Sequence, residues 1–167
     1  MMDLQRELSE AQRLARDRRC AFAFDFPVDI AGVGFVEIVG GVYQPAADGD
    51  PAVIVAAEAE GQLVDLVACR LSDRATATRL GVAALLGEDA VEVARHDGRT
   101  LLVYCDPLHW LGAGCLGVAI LDWKAVRWTI AGVPRVTCAT PELEKRLRRA
   151  FMLPTDLPAF IQARRAA

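Results

Sequence analysis

Apolar residues recur at helical spacing near the start of the chain: Leu4, Leu8, Ala11, Leu14 and Ala15 fall between Asp3 and Arg18. One face of a 3.6-residue helix would collect them, so this stretch predicts an amphipathic helix with Asp3 as its cap. Phe22–Pro27 breaks the pattern, because proline restricts the residue before it, and forms a joint to the body of the chain. Val33–Tyr43 is rich in β-branched and aromatic residues and reads as strand, with Gly40-Gly41 as a bend or bulge. Ala52–Ala59 and Leu63–Leu71 read as the arms of a hairpin around Glu60-Gly61-Gln62. In the second arm Val64, Leu66 and Ala68 alternate with Asp65, Val67 and Cys69, which predicts one wetter face.

Further on, Ser72 or Asp73 is expected to cap a helix running through Leu85-Leu86 and stopped by Gly87. Asp97-Gly98 predicts a second hairpin, joining Val91–Arg95 to Thr100–Cys105. Pro107–Leu111 suits one helical turn. Leu116–Leu121 is continuously apolar and reads as a central strand, with Trp123–Ile130 as its neighbour. On that neighbour Val126, Trp128 and Ile130 would face inward, and Trp123, Arg127 and Thr129 outward. Pro141, followed by acidic and then basic residues, marks a polarised helix, and Pro154 and Pro158 bracket a short terminal one. Clustered hairpins with helices at the ends predict an α+β fold with a mainly antiparallel sheet. One domain is expected over 1–167: an N-terminal helix (1–19), a sheet-rich body (20–140) and C-terminal helices (141–167).

Composition adds a substantial core. In 167 residues, 53% are hydrophobic and 25% charged, so folding requires neither metal nor disulfide. The net charge is −3, which does not support binding duplex nucleic acid along a whole face. The cations are almost all arginine, gathered at Arg13–Arg19 and Arg146–Arg149, with Arg164 and Arg165 beyond. No secretory signal and no membrane-spanning apolar run is visible, so a cytoplasmic protein is expected. Cys20, Cys69, Cys105, Cys115 and Cys138 are odd in number and scattered, as reduced packed thiols are.

The densest chemistry is Tyr104-Cys105-Asp106-Pro107-Leu108-His109-Trp110. Cys105, Asp106 and His109 are the candidate catalytic residues, since a thiol nucleophile needs an imidazole and a group to orient it. On an extended strand Cys105 and Asp106 would point apart, so Asp106 is expected to cap the turn at Pro107 and His109-Trp110 to pack at a core edge. No metal is expected, for want of any paired ligand spacing, and no cofactor: GxGxxG, GK[ST] and GxSxG are all absent.

Glu60, Asp65 and Asp122 form a second candidate set. Val53-Ile54-Val55, Glu60-Gly61 and Asp65 resemble the Toprim domain of primases and topoisomerases, a resemblance that implies carboxylates holding Mg²⁺ for phosphoryl transfer. Two departures disfavour it: Asp122 is followed by Trp123 and Lys124, so the second aspartate of Asp-x-Asp is missing, and the glutamate sits in a tight link between strands. Leu63–Ala68, Leu80–Gly87 and Asp106–Leu111 also resemble parts of uncharacterised proteins from phage-like or plasmid regions of high-GC bacteria, which implies no activity.

Trp123 and Arg127 are the candidate interaction residues, as tryptophan and arginine are enriched at hot spots and in stacking platforms. The expected function is a non-catalytic module with a protein partner, an accessory in a bacterial mobile-element or nucleic-acid-processing complex. The alternative is a hydrolase or phosphoryl-transfer enzyme using Cys105/His109 or Glu60/Asp65/Asp122.

Overall fold

The computed structural model describes residues 3–17, 27 and 29–152. Helix α1 (Leu4–Asp17) starts as its sequence predicts, with the Arg6 amide donating to Asp3 Oδ1 at 3.0 Å. Five strands follow: β1 (Ala31–Val39), β2 (Val42–Pro45), β3 (Asp50–Ala59), β4 (Gln62–Arg70) and β5 (Thr76–Thr78). Both glycine-bearing turns are tight two-residue links with positive φ at each central residue, Gly40-Gly41 and Glu60-Gly61. That conformation matches the twist of antiparallel strands.

The mixed α+β content holds, but the sheet is not a simple stack of hairpins. The first five strands close into a barrel in the order β1-β2-β5-β4-β3, sealed by a parallel bridge from Val42 of β2 to Thr78 of β5. A second, four-stranded sheet orders β6 (Leu85–Leu86), β8 (Val118–Ile120), β7 (Thr100–Tyr104) and β9 (Arg135–Cys138). There β7 runs parallel to both β8 and β9. Helices α2 (Asp89–Asp97), α3 (Pro107–Gly112), α4 (Val126–Thr129) and α5 (Pro141–Met152) complete the fold.

Barrel strands β3 and β4 are buried on both faces, so the wetter face expected of Leu63–Leu71 does not exist. Ala52, Ile54, Ala56, Leu66 and Ala68 join Leu8 and Ala11 of α1 in one core. Val53, Val55, Ala57, Val67 and Cys69 join Leu86, Leu108, Trp110, Leu111 and Ala119 in another, which the barrel and the second sheet share. Helix α1 lies so close to β1 that a Cβ on Gly32 would meet the Ala11 backbone at 2.3 Å. The joint Phe22–Phe26 and the terminal helix after Pro154 lie outside the described residues.

Three expected elements are corrected. Residues 72–87 form no helix, because their amides are recruited elsewhere. The Asp65 carboxylate accepts from the amides of Arg79 (3.1 Å), Leu80 (2.9 Å), Val82 (2.8 Å) and Ala83 (3.1 Å), and from Leu66 (2.8 Å). The stretch expected as the strand Val91–Arg95 lies in α2, whose buried Val91 and Ala94 sit three apart; Gly98, at φ 64°, stops the helix instead of turning a hairpin. The stretch Trp123–Ile130 forms no strand but a turn leading into the short helix α4: Val126 and Ile130, four apart, are buried, and Trp128 points to solvent. Strand β9, with one short polar-apolar alternation, had no distinct signal.

Candidate functional site

Strand β7 ends at Tyr104, and its next two residues carry the chemistry. Asp106 is extended (φ −156°, ψ 167°) and caps α3, which starts at Pro107. Its Oδ1 accepts the His109 amide at 3.0 Å, as the sequence leads one to expect. Its Oδ2 lies 2.7 Å from His109 Nδ1. The first turn of the helix therefore folds the imidazole back over its own cap. Cys105, one residue earlier, places its Sγ 3.2 Å from the same Nδ1 and 3.8 Å from Asp106 Oδ2. So the bend at the cap, not strand alternation, decides where the three side chains go, and it brings all of them together.

The support beneath is firm. Leu108, Trp110 and Leu111 are buried, and Trp110 Nε1 donates to the Gly117 carbonyl at 2.9 Å. Cys105 and His109 are exposed while Asp106 is buried. Burial and the Asp106 carboxylate both push the Cys105 thiol above its ordinary range, which disfavours the thiolate that a nucleophile needs. The connectivity also differs from a catalytic relay, where the base takes a proton at one ring nitrogen and is oriented through the other. Here Nδ1 faces both neighbours. A proton on Nδ1 satisfies Asp106 and leaves no lone pair there for the thiol proton.

The second carboxylate set does not fit a metal-dependent phosphoryl-transfer site. Asp65 is fully buried and its oxygens are saturated by five backbone amides, so it organises a loop. Glu60 sits in the exposed β3–β4 turn. Asp122 is exposed and accepts the Lys124 amide at 2.8 Å, an ordinary turn closure.

A third feature is two arginine–tryptophan contacts, one within α4 and one between α5 and the turn before α4. Trp123 packs partly into the core and carries the Arg146 guanidinium 3.8 Å from its ring centroid. Trp128 is 61% exposed, with Arg127 stacked 4.7 Å from its centroid. Lys124, Lys145 and Arg149 are exposed on the same elements or beside them. The sequence singled out Trp123 and Arg127 but assigned Trp128 to the core; helical period, not strand period, exposes it.

Residues 79–83 make a fourth feature that sequence reasoning missed. Leu80 and Val82 are solvent-exposed although their amides are pinned to Asp65. The signal is an aspartate inside an apolar strand, which alternation alone assigns to the wet side of a sheet.

No helix among the described residues is long and apolar enough to cross a membrane. No protein-family model, no curated protein and no solved structure matches the chain.

Proposed function

We propose that the chain is a non-catalytic interaction module that binds a single strand of nucleic acid through the arginine–tryptophan contacts of α4 and α5. The observation that carries this reading is the pair of stacked guanidinium–indole contacts, Arg146 on Trp123 and Arg127 on Trp128. In each pair the guanidinium lies over the indole, and the planar cation so held is a platform on which a base stacks while its phosphate is neutralised. The chain's net negative charge disfavours coating a duplex, but a short strand needs only a local patch.

A fluorescein-labelled single-stranded oligonucleotide titrated at low salt tests it by anisotropy. Saturable binding that weakens as salt rises is expected. Trp128→Ala should cost about 1–3 kcal/mol of that binding, the range for loss of one stacking side chain. Arg127→Ala should weaken it and flatten its salt dependence. Thermal stability of Trp128→Ala should stay within roughly 0.5 kcal/mol of the parent, because the ring is largely in solvent. Absence of binding at low salt, or variants that bind like the parent, would overturn the reading.

The exposed Leu80 and Val82 favour a second reading, a protein partner. Val42 joins them, since a Cβ on the intervening Gly81 would lie 3.9 Å from its Cγ1. The loop is fixed before any partner arrives, which lowers the ordering cost of association. In that case Val82→Asp abolishes partner capture and Trp128→Ala does not.

A further inference from the structure

Three different metal-ligating atoms converge at the carboxyl end of β7: Cys105 Sγ, His109 Nδ1 and Asp106 Oδ2, all within 4.8 Å of one another. Their separations are 3.2, 2.7 and 3.8 Å. We propose that Cys105, Asp106 and His109 form a three-ligand site for a divalent transition metal, best suited to Zn²⁺, with its remaining position open to solvent. The inference is independent of the arginine–tryptophan contacts of α4 and α5.

Geometry supports it first. In a tetrahedral zinc site with metal–sulfur bonds near 2.3 Å and metal–nitrogen or –oxygen bonds near 2.0–2.1 Å, ligand atoms lie about 3.3–3.6 Å apart. The observed triangle therefore needs its Asp–His edge opened by less than about 1 Å, within reach of side-chain rotation around an ion of this size. The donor set supports it second. Thiolate and imidazole are zinc ligands, and a carboxylate completes a set of mixed softness that hard Mg²⁺ or Ca²⁺ does not select. The sharing of Nδ1 by both neighbours, which spoils a thiol-enzyme relay, gathers three potential donor atoms within 4.8 Å, and an ion takes up the Nδ1 lone pair once the ring proton has moved to Nε2.

Position supports it third. Ligands of open sheets with parallel strands gather outside the strands' carboxyl ends, and β7 is flanked by parallel partners on both sides. The frame is also preorganised, because Asp106 Oδ1 is held by the His109 amide and leaves Oδ2 for the ion. Metal binding would displace the Cys105 thiol proton to solvent and move the His109 ring proton from Nδ1 to Nε2 by exchange with water, leaving thiolate, neutral imidazole and carboxylate around the ion. Exposure of Cys105 and His109 keeps a path for the ion and a place for water.

Co²⁺ titration of the untagged, chelator-stripped full chain tests the proposal. The expected result is saturation near one Co²⁺ per chain, with thiolate-to-cobalt charge-transfer absorption in the near ultraviolet and visible bands of tetrahedral strength. Zn²⁺ should erase both by displacement, and saturating Zn²⁺ should raise the melting temperature. Cys105→Ser should lose the charge-transfer band. His109→Ala should weaken Co²⁺ binding at least about tenfold, since even outer partners of metal ligands are worth roughly 10–100-fold. Asp106→Asn retains a side-chain oxygen for the cap, so it should weaken Co²⁺ binding while the apo protein melts near the parent temperature. No charge-transfer absorption at saturating Co²⁺, or a band that survives in Cys105→Ser because another thiol supplies it, would overturn the site. Parent-like affinity in His109→Ala would overturn it as well.

Discussion

Asp65 shows what one buried charge can organise. Its two oxygens accept from five amides spread over residues 66 to 83, and no buried side-chain polar atom among the described residues lacks a partner. Hydrogen bonds to a charged group contribute about 1.5–3 kcal/mol each, and an orphaned buried donor costs about 1–3 kcal/mol. Asp65→Asn keeps three acceptances at one oxygen but turns an NH₂ toward Val82 and Ala83; a loss of about 2–4 kcal/mol in urea denaturation is expected. Cys69 makes a contrasting case. It is fully buried, and burial pushes its thiol from 9.0 up to about 11, with the Thr76 hydrogen bond opposing. Below pH 9.0 the thiol is protonated folded or unfolded; between 9.0 and about 11 only the unfolded chain ionises, so stability falls as pH rises. That decline should be shallower in Cys69→Ala, as read by denaturant midpoints across the same pH window.

Among the elements, α1 illustrates how a helix is fixed to a barrel by a few specific contacts. Leu8 and Ala11 bury against the sheet, and Glu7 receives both the Tyr43 hydroxyl at 2.8 Å and Arg79 Nε at 3.0 Å. Burial, with Glu7 beside it, raises the Tyr43 phenol well above its ordinary value, so it stays a donor in this network. Close approach depends on Gly32, where any Cβ would strike helix backbone. Gly32→Ala should therefore destabilise by about 1–3 kcal/mol or more, the usual cost of overpacking, because backbone yields less than a side chain. Chemical denaturation measures the loss, and faster proteolysis within α1 would locate it. A parent-like variant would mean that helix and sheet can part without cost.

On the scale of the molecule, barrel and second sheet share one apolar cluster, with Val55 and Val67 on one side and Leu86, Trp110 and Ala119 on the other. Residues packed into one core lose their partners together, which makes for cooperative unfolding. All three tryptophans (Trp110, Trp123 and Trp128) come from the half built around the second sheet, and Trp110 lies in the shared cluster, so their fluorescence reports that half and its seam with the barrel. Their thermal transition should coincide with that of far-ultraviolet circular dichroism, which reports both halves. Two separated transitions would show that the barrel unfolds independently.

Local chemistry was legible in the sequence wherever neighbours in the chain decide the outcome. Asp3 and Asp106 cap helices, Pro141 opens α5, the Glu60-Gly61 turn joins β3 to β4, and apolar runs become β3 and β8, whereas Gly40-Gly41, expected as a bend within one strand, divides Val33–Tyr43 into β1 and β2. Each depends on backbone preferences or hydrogen bonds within a few residues. Tertiary structure decided the rest. Asp65 takes the amides that residues 79–83 would have used for a helix, and a single bridge between Val42 and Thr78 turns hairpins into a barrel. Strand and helix periods assign Trp128 to opposite sides, and only packing against α5 and the second sheet selects the helix. The Cys105, Asp106 and His109 cluster lies between these cases. The sequence named its members, but their convergence needed the backbone to bend at the cap, and that bend is set by where β7 ends and α3 packs.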